Sequence, residues 1–380
     1  MKKIYMDYAA ATPLDKAVIE AMRPFLSDEF YNPSAVYLSA KDVKSRLEAA
    51  RRSAAGLLGA RPAEIIFTAG ATEANNLAVQ GVGRRFPDAE ILISGAEHES
   101  VAAPAGLFGA GSIPVDKDGL IILNKLSNLI NDKTVLVSVI MVNNELGTIQ
   151  PLADVARIIS EVRRQRQTDG NDLPIYLHSD AAQAANFFDL HVSRLGVDLL
   201  SLNGGKIYGP KQSGALYVKA GVELQPLIVG GGQEFGLRSG TENVAGIAGF
   251  FTALELAQSV HRDESARLAN LRKRFEAQLK VKFKNAVING GRHRAPHITS
   301  ITFPGQDNER LMMQLDELGI MCAAGSACSA SSDEPSAVLR AIGLSDDLAR
   351  ATLRFSFGHG TTGADMDAAV SALDRILING

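Results

Sequence analysis

Leu199-Leu-Ser-Leu-Asn-Gly-Gly-Lys-Ile-Tyr-Gly-Pro-Lys-Gln-Ser-Gly-Ala-Leu-Tyr-Val218 sets an apolar run, two glycines, a lysine and a second apolar run in that order. A strand that delivers one amine to a cleft, followed by a turn and another strand, is the natural reading. Lysine at the mouth of a buried strand is partly desolvated, which draws its pKa down from about 10.4 and makes it a nucleophile for carbonyl carbon. Lys206 is therefore a Schiff-base candidate, although by itself the signal is weak, because most lysines after a turn are solvated surface residues.

Outward from this stretch, short apolar runs alternate with helical spacing. Glu64–Thr68, Glu90–Ser94, Ser112–Val115, Thr134–Val142, Pro174–His178, Asp198–Ser201 and Gly214–Val218 predict strands, and Thr72–Arg85, Ile121–Ile130 and Leu152–Arg166 predict helices between them. Such alternation writes a mostly parallel α/β sheet. Upstream, an extended arm over Met1–Thr12 precedes helices at Asp15–Leu26 and Ser39–Leu58; Gln165–Asn171 reads as an exposed polar loop. Downstream, a long helical region from Glu242 to about Lys284 leads to strands at His297–Phe303, Gly319–Cys322 and Ala351–Phe355 and helices at Asp307–Leu318 and Ala364–Ile378. With 380 residues two domains are expected. Residues 15–255 form the larger, and residues 1–14 with 256–380 form a smaller α+β domain.

A charged fraction of 21% and a net charge of −3 give no electrostatic reason to bind nucleic acid or membrane. Without a long apolar segment, a cytoplasmic protein acting on small molecules is expected. Two cysteines, Cys322 and Cys328, make no disulfide framework, and their spacing without nearby histidine does not resemble a zinc site. Cys322 reads as a small buried hydrophobe. Cys328, in Gly325-Ser-Ala-Cys-Ser-Ala-Ser-Ser-Asp-Glu334, reads as an exposed reactive thiol.

Several strand ends carry polar groups. Gly70-Ala-Thr-Glu-Ala-Asn75 opens a helix and suits either an anion or a simple Thr cap. Asp180 and Gln183 follow one strand, Asn143-Asn-Glu145 another and His98 a third, where open parallel sheets bind ligands. Asp180 fits a pyridinium partner, or a turn. Arg354 fits a substrate carboxylate or a surface ion pair.

Taken in order, Tyr5-Met-Asp-Tyr-Ala-Ala, Asn32-Pro-Ser, Phe67-Thr-Ala-Gly-Ala-Thr-Glu-Ala-Asn-Asn76, Glu97-His98, Val142-Asn-Asn-Glu-Leu-Gly147, His178-Ser-Asp-Ala-Ala-Gln183, Lys206-Ile-Tyr-Gly-Pro-Lys211, Arg238-Ser-Gly-Thr241, Gly325-Ser-Ala-Cys328 and Arg354-Phe-Ser resemble the cysteine desulfurases of the NifS/IscS type, long-loop subgroup. Those are fold-type I, class V pyridoxal phosphate enzymes, and the resemblance spans nearly the whole chain. It implies a seven-stranded, mostly parallel sheet and a mobile loop near residues 324–334 carrying Cys328. It also implies pyridoxal 5'-phosphate held covalently by Lys206, stacked on by His98, and contacted by Asp180, Gln183 and Asn144. Ala71 and Thr72 would hold the phosphate, with Thr241 reaching the phosphate of a second subunit in a homodimer. Arg354 and Asn144, with Asn32 nearby, would hold the carboxylate of L-cysteine. Cys328 would take the sulfur as a persulfide and pass it to an acceptor protein, in iron–sulfur cluster assembly or in thiolation of RNA or DNA.

Two positions depart from the family pattern. Ser-x-His, whose side chains contact the cofactor phosphate, is replaced by Asn203 and Gly205, and His359 stands where arginine is common. Loss of one charge-assisted contact is worth about 1.5–3 kcal/mol. Selenocysteine lyase, another class V activity, or a non-catalytic sulfur-assembly scaffold with weakened cofactor binding stay open as alternatives, as does a role for Cys328 as a transient iron–sulfur ligand with a scaffold partner.

Overall fold

The computed structural model describes residues 3–325 and 334–379, so Cys328 lies outside the described residues. Its strands are β1 (Ile4–Tyr5), β2 (Ile65–Thr68), β3 (Glu90–Ser94), β4 (Gly111–Ile113), β5 (Thr134–Ser138), β6 (Tyr176–Asp180), β7 (Leu199–Asn203), β8 (Gly214–Val218), β9 (Val287–Ile288), β10 (Ile298–Thr302), β11 (Ile320–Met321) and β12 (Thr352–Ser356). Seven of them form one sheet in the order β2-β8-β7-β6-β5-β3-β4. Within it only β8 runs against its neighbours.

Both faces of this sheet are covered, which explains why its strands read as unbroken apolar runs. Ile65, Phe67, Leu92 and Val137 point into one core, with the Leu38–Leu58, Leu152–Asp169 and Val244–Lys282 helices. Their neighbours Ile66, Ile91 and Leu136 point into the other, with Ala71–Arg85 and Glu99–Gly106. Alternate side chains thus reach opposite cores.

The Val244–Lys282 helix has 39 residues and passes through residue 255 without a break. Phe250, Ala253 and Leu254 pack on the large sheet, whereas Leu268, Phe275 and Leu279 belong to a second core. That core also holds residues of β10 and β12 and of the Gly363–Asn379 helix, such as Ile301, Leu353 and Met366. β12, β10 and β9 make an antiparallel sheet. The N-terminal arm joins it: β1 pairs with β11, and the carbonyl of Met6 accepts from Ser356 N–H at 2.7 Å.

Three expectations need correction. The Asp15–Leu26 helix is broken, because Pro24 cannot donate to the preceding turn; Lys16–Met22 ends there and Pro24–Ser27 starts anew. Gln165–Asn171 is not a loop, since the helix continues to Asp169 and ends on left-handed Gly170. Arg166 explains the extra turn, for its guanidinium is buried and donates to the carbonyls of Leu173, Pro174, Asn131 and Thr134. The strand after Lys133 stops at Ser138 rather than Val142.

A buried ion pair fixes the segment before Thr241. Arg51 meets Glu234 through two contacts of 2.7 Å, and Glu234 also accepts the Phe67 N–H at 2.8 Å. Both side chains are almost fully buried. Glu234→Ala leaves the buried Arg51 charge with only the partly exposed Glu48 at 3.2 Å, so stability measured by urea unfolding should fall by about 3 kcal/mol, the lower end of what breaking a buried pair costs.

Candidate functional site

One cleft at the C-terminal edge of the large sheet gathers most of the residues singled out from the sequence. Ala71, Thr72, His98, Asn144, Asp180, Gln183, Asn203, Lys206 and Arg354 line it, together with Ala9, Ala10, Ser100, Ile140 and Ala182. The ends of β2, β3, β5, β6 and β7 supply most of these, as expected for a parallel sheet.

Lys206 follows β7 in a single turn of 3-10 helix, Gly204–Lys206. Its ammonium donates to the carbonyls of Ala9 at 2.9 Å and Ala10 at 2.5 Å. Tyr208, two residues on, has a φ of 63°, which bulky residues rarely adopt. The surroundings hold it there: Thr12 Oγ1 accepts its N–H at 2.8 Å, and His359, the residue standing in place of the family's arginine, stacks on its ring at 3.9 Å.

Asp180 is buried and accepts from Asn75 Nδ2 at 2.7 Å and from Ala182 N–H at 2.8 Å. Both donors are neutral amides. Asn75 also donates to Ser100 Oγ, which lies 2.8 Å from His98 Nδ1. Ser100 N–H donates to that same Nδ1 at 3.0 Å. A continuous set of hydrogen bonds therefore joins the His98 ring to the Asp180 carboxylate. Gln183 donates to the Ala9 carbonyl at 2.9 Å, and its other amide atom, Oε1, is 3.2 Å from His297 Nε2.

Behind the cleft, burial sets charge states. Glu97 is pushed up to about 8, first by burial and then by the Asp180 charge, and is neutral at pH 7. His178 lies between Ser138 and Ser201 hydroxyls and is held down at about 3 by burial. His297, stacked on Phe187, is also held near 3, by burial and then by the Arg354 and Arg272 charges.

Arg354 is 2% exposed and donates to the Asn144 carbonyl at 2.9 Å and to Asp7 Oδ1 at 2.7 Å. Its Nε has no partner among the described residues. Backbone bonds pair Arg354 with Ala323 in both directions.

The start of the Ala71–Arg85 helix suits a phosphate. Its N-cap is Gly70, at φ 114° and with no side-chain cap, so the first-turn N–H groups face the adjoining cavity that Thr72, Asn203, Gly205, Lys206, Lys211 and Gln212 line. Gly214 must be glycine for this geometry: a Cβ there would come within 2.7 Å of Gly70 Cα and 2.4 Å of the Leu202 carbonyl. Asn203 Oδ1 accepts the Gly205 N–H at 3.0 Å. A ring nitrogen beside Asp180 and a phosphate beside Thr72 would both meet a matching group, so the residues present fit pyridoxal phosphate.

Asn32 does not line the cleft; its side chain accepts from Ser34 N–H in an exposed turn. Thr241 is exposed and outside it as well. Cys322 is buried with its thiol pushed up to about 12, as a core cysteine should be. Asp7, Asn75, Ser100 and His297 were not picked out for a role by sequence reasoning. Asp7 and Asn75 stand inside the quoted segments, but their partners are 347 and 105 residues away, and His297 gives no local signal.

The protein-family description Aminotransferase class-V matches residues 4–369, and the chain belongs to that family. Enzymes of this family work with pyridoxal phosphate. Among its curated relatives, Cysteine desulfurase IscS of Dictyoglomus turgidum is 39% identical over 384 residues, covering 99% of this chain and 95% of that one. A solved structure of a NIFS-like protein superposes with a TM-score of 0.89 at 31% identity and 99% coverage of both chains. A structure of SspA in complex with cysteine gives a TM-score of 0.79 at 36% identity, covering 94% of this chain and 99% of the other.

The neutral Glu97 carboxyl has a stability signature. Its pKa rises from 4.5 to about 8 on folding, so the folded state holds a proton that the unfolded state gives up in this range. That contribution is complete below about 4.5 and is lost as pH rises through 8. Relative to Glu97→Gln, wild-type apoprotein should lose stability by about 1.4 kcal/mol per pH unit across this window, read by urea unfolding at pH 5, 6.5 and 8. Parallel stability curves for the two proteins would rule it out.

Proposed function

We infer that this protein is a cysteine desulfurase that converts L-cysteine to L-alanine and takes the sulfur onto Cys328. The observation that carries the reading is the meeting, in one cleft, of the Lys206 amine, the Asp180 carboxylate, the His98 ring, an uncapped helix start and the Arg354 guanidinium. The full-length relatives named cysteine desulfurase and the SspA structure with cysteine support the substrate.

Pyridoxal phosphate, when bound, supplies an electron sink for negative charge developing at the substrate Cα. Lys206 would hold it covalently through Nζ, and Asp180, kept in orientation by Asn75, would keep a proton on its ring nitrogen. His98 would face the ring and Gln183 would offer its amide to the ring oxygen. Thr72 and the N–H groups of Ala71 and Thr72 would take the phosphate, with Asn203 and Gly205 beside it. Arg354 has donors to spare beyond Asn144 and Asp7, and binds the substrate carboxylate bidentately, aided by Asn144. Lys206 Nζ would be the base that takes the Cα proton of the substrate.

Cys328 Sγ, as thiolate, then attacks the substrate sulfur. An S–S bond forms while the Cβ–S bond breaks; its electron pair stays with carbon, which takes up a proton on the way to alanine. The persulfide passes to an acceptor protein. A thiol with this task suits a reducing compartment, in keeping with a cytoplasmic enzyme. No helix among the described residues is long and apolar enough to cross a membrane.

A homodimer agrees with the surface. Phe30, Val36, Tyr37, Leu38, Val229 and Phe235 are exposed, Val36 at 85%. Exposed apolar side chains of this size call for a cover, and a second copy would bring its Thr241 to the neighbouring cleft.

Purified protein given pyridoxal phosphate should be yellow and should form equal amounts of alanine and, with a reductant present, sulfide. Lys206→Ala should lose both colour and turnover. Cys328→Ser should keep the colour yet lose turnover by ~10³-fold, and mass analysis should find one added sulfur on wild-type Cys328 alone. Full turnover by Cys328→Ser would refute the thiol's role. Arg354→Met should raise KM for L-cysteine far more than it lowers kcat.

A further inference from the structure

Gly205 and Lys211 share a cavity wall at the start of the Ala71–Arg85 helix. The ionisable side chains lining that cavity are Lys206, Lys211 and Glu73. Glu73 is committed elsewhere: Oε1 accepts from Arg238 Nε at 3.1 Å and Oε2 from Ala69 N–H at 2.9 Å. Lys206 gives its amine to the covalent link. A phosphate monoester brings about −1.5 to −2 charges at pH 7, against roughly half a positive charge from a helix N-terminus. Lys211 is therefore the cation left among the described lining residues to answer it.

The local geometry agrees. A Cβ added at Gly205 would meet nothing closer than Asn203 Oδ1 and Lys211 Cγ, both at 3.5 Å, with Lys211 Cα at 3.7 Å. These are ordinary contacts, so neither backbone nor packing demands glycine. A side chain at 205 would lie along the Lys211 stem; its absence leaves that space to Lys211. The Lys211 ammonium is held loosely, by the Thr12 carbonyl at 3.4 Å, near the limit for a hydrogen bond. Gln212 follows with a φ of 58°, a conformation unfavourable for a non-glycine residue, which turns the chain at the cavity wall.

We propose that Lys211 is a cofactor-phosphate ligand in this protein, its ammonium occupying the space that Gly205 leaves open. The inference rests on the reading of the cleft as a pyridoxal phosphate site. It concerns binding of a phosphate monoester dianion rather than the chemistry at the ring.

The test is a titration of apoprotein with pyridoxal phosphate, followed by the absorbance of the bound cofactor, with inorganic phosphate as competitor. Lys211→Met should bind the cofactor ~10–100-fold more weakly and lose most of its sensitivity to phosphate, while Lys211→Arg stays within a few-fold of wild type. Adding Gly205→His to Lys211→Met should recover much of the affinity. Unchanged thermal unfolding of the apoproteins separates this from a folding defect. Wild type and Lys211→Met with equal affinity and equal competition by phosphate would overturn the assignment of Lys211 alone. Wild type that takes up no cofactor would overturn the reading of the cleft itself.

Discussion

Two backbone carbonyls, those of Ala9 and Ala10, hold the ammonium of Lys206, and the geometry of the cleft depends on the arm that carries them. The same arm pairs with β11 through Ile4 and Tyr5, offers Asp7 to Arg354, and uses Thr12 to accept Tyr208 N–H and to donate to the Gly205 carbonyl. Nine residues thus set the amine and the guanidinium of the cleft relative to each other. A strand pairing of two residues would be marginal alone. Here it is reinforced by a charge pair and by hydrogen bonds to buried groups, which are costly to leave unmade.

Burial around the cleft distributes charge unequally. Asp180 stays beside neutral donors, while Glu97 a short distance behind is driven to its protonated form and His178 and His297 to their neutral forms. Burial, and then the Asp180 carboxylate beside it, leave the Glu97 carboxyl holding its proton. The neutral groups behind serve as hydrogen-bonding support: His178 bridges two strands through Ser138 and Ser201.

Glycine has a comparable role on the phosphate side. Gly70 turns the chain into the helix with a φ of 114°, and Gly214 on β8 lets the two backbones approach. Gly205 differs from both, since a side chain would fit there. Its identity reflects what neighbouring groups do rather than a constraint of the backbone.

The sequence by itself determined the sheet, because strands buried on both faces have to be continuously apolar, and it located Lys206, Asp180, His98 and Thr72 at strand ends and a helix start. Its reading of Cys328 as an accessible thiol falls outside the described residues. It misjudged residues 165–171 because a polar run looks the same whether its arginine is solvated or, like Arg166, buried against four carbonyls. Tertiary structure alone decided the pairing of Asp7 with Arg354, the link from His98 to Asp180 through Ser100 and Asn75, and the protonation of Glu97. Those depend on groups far apart in the chain and on the local dielectric, neither of which leaves a periodic mark in sequence.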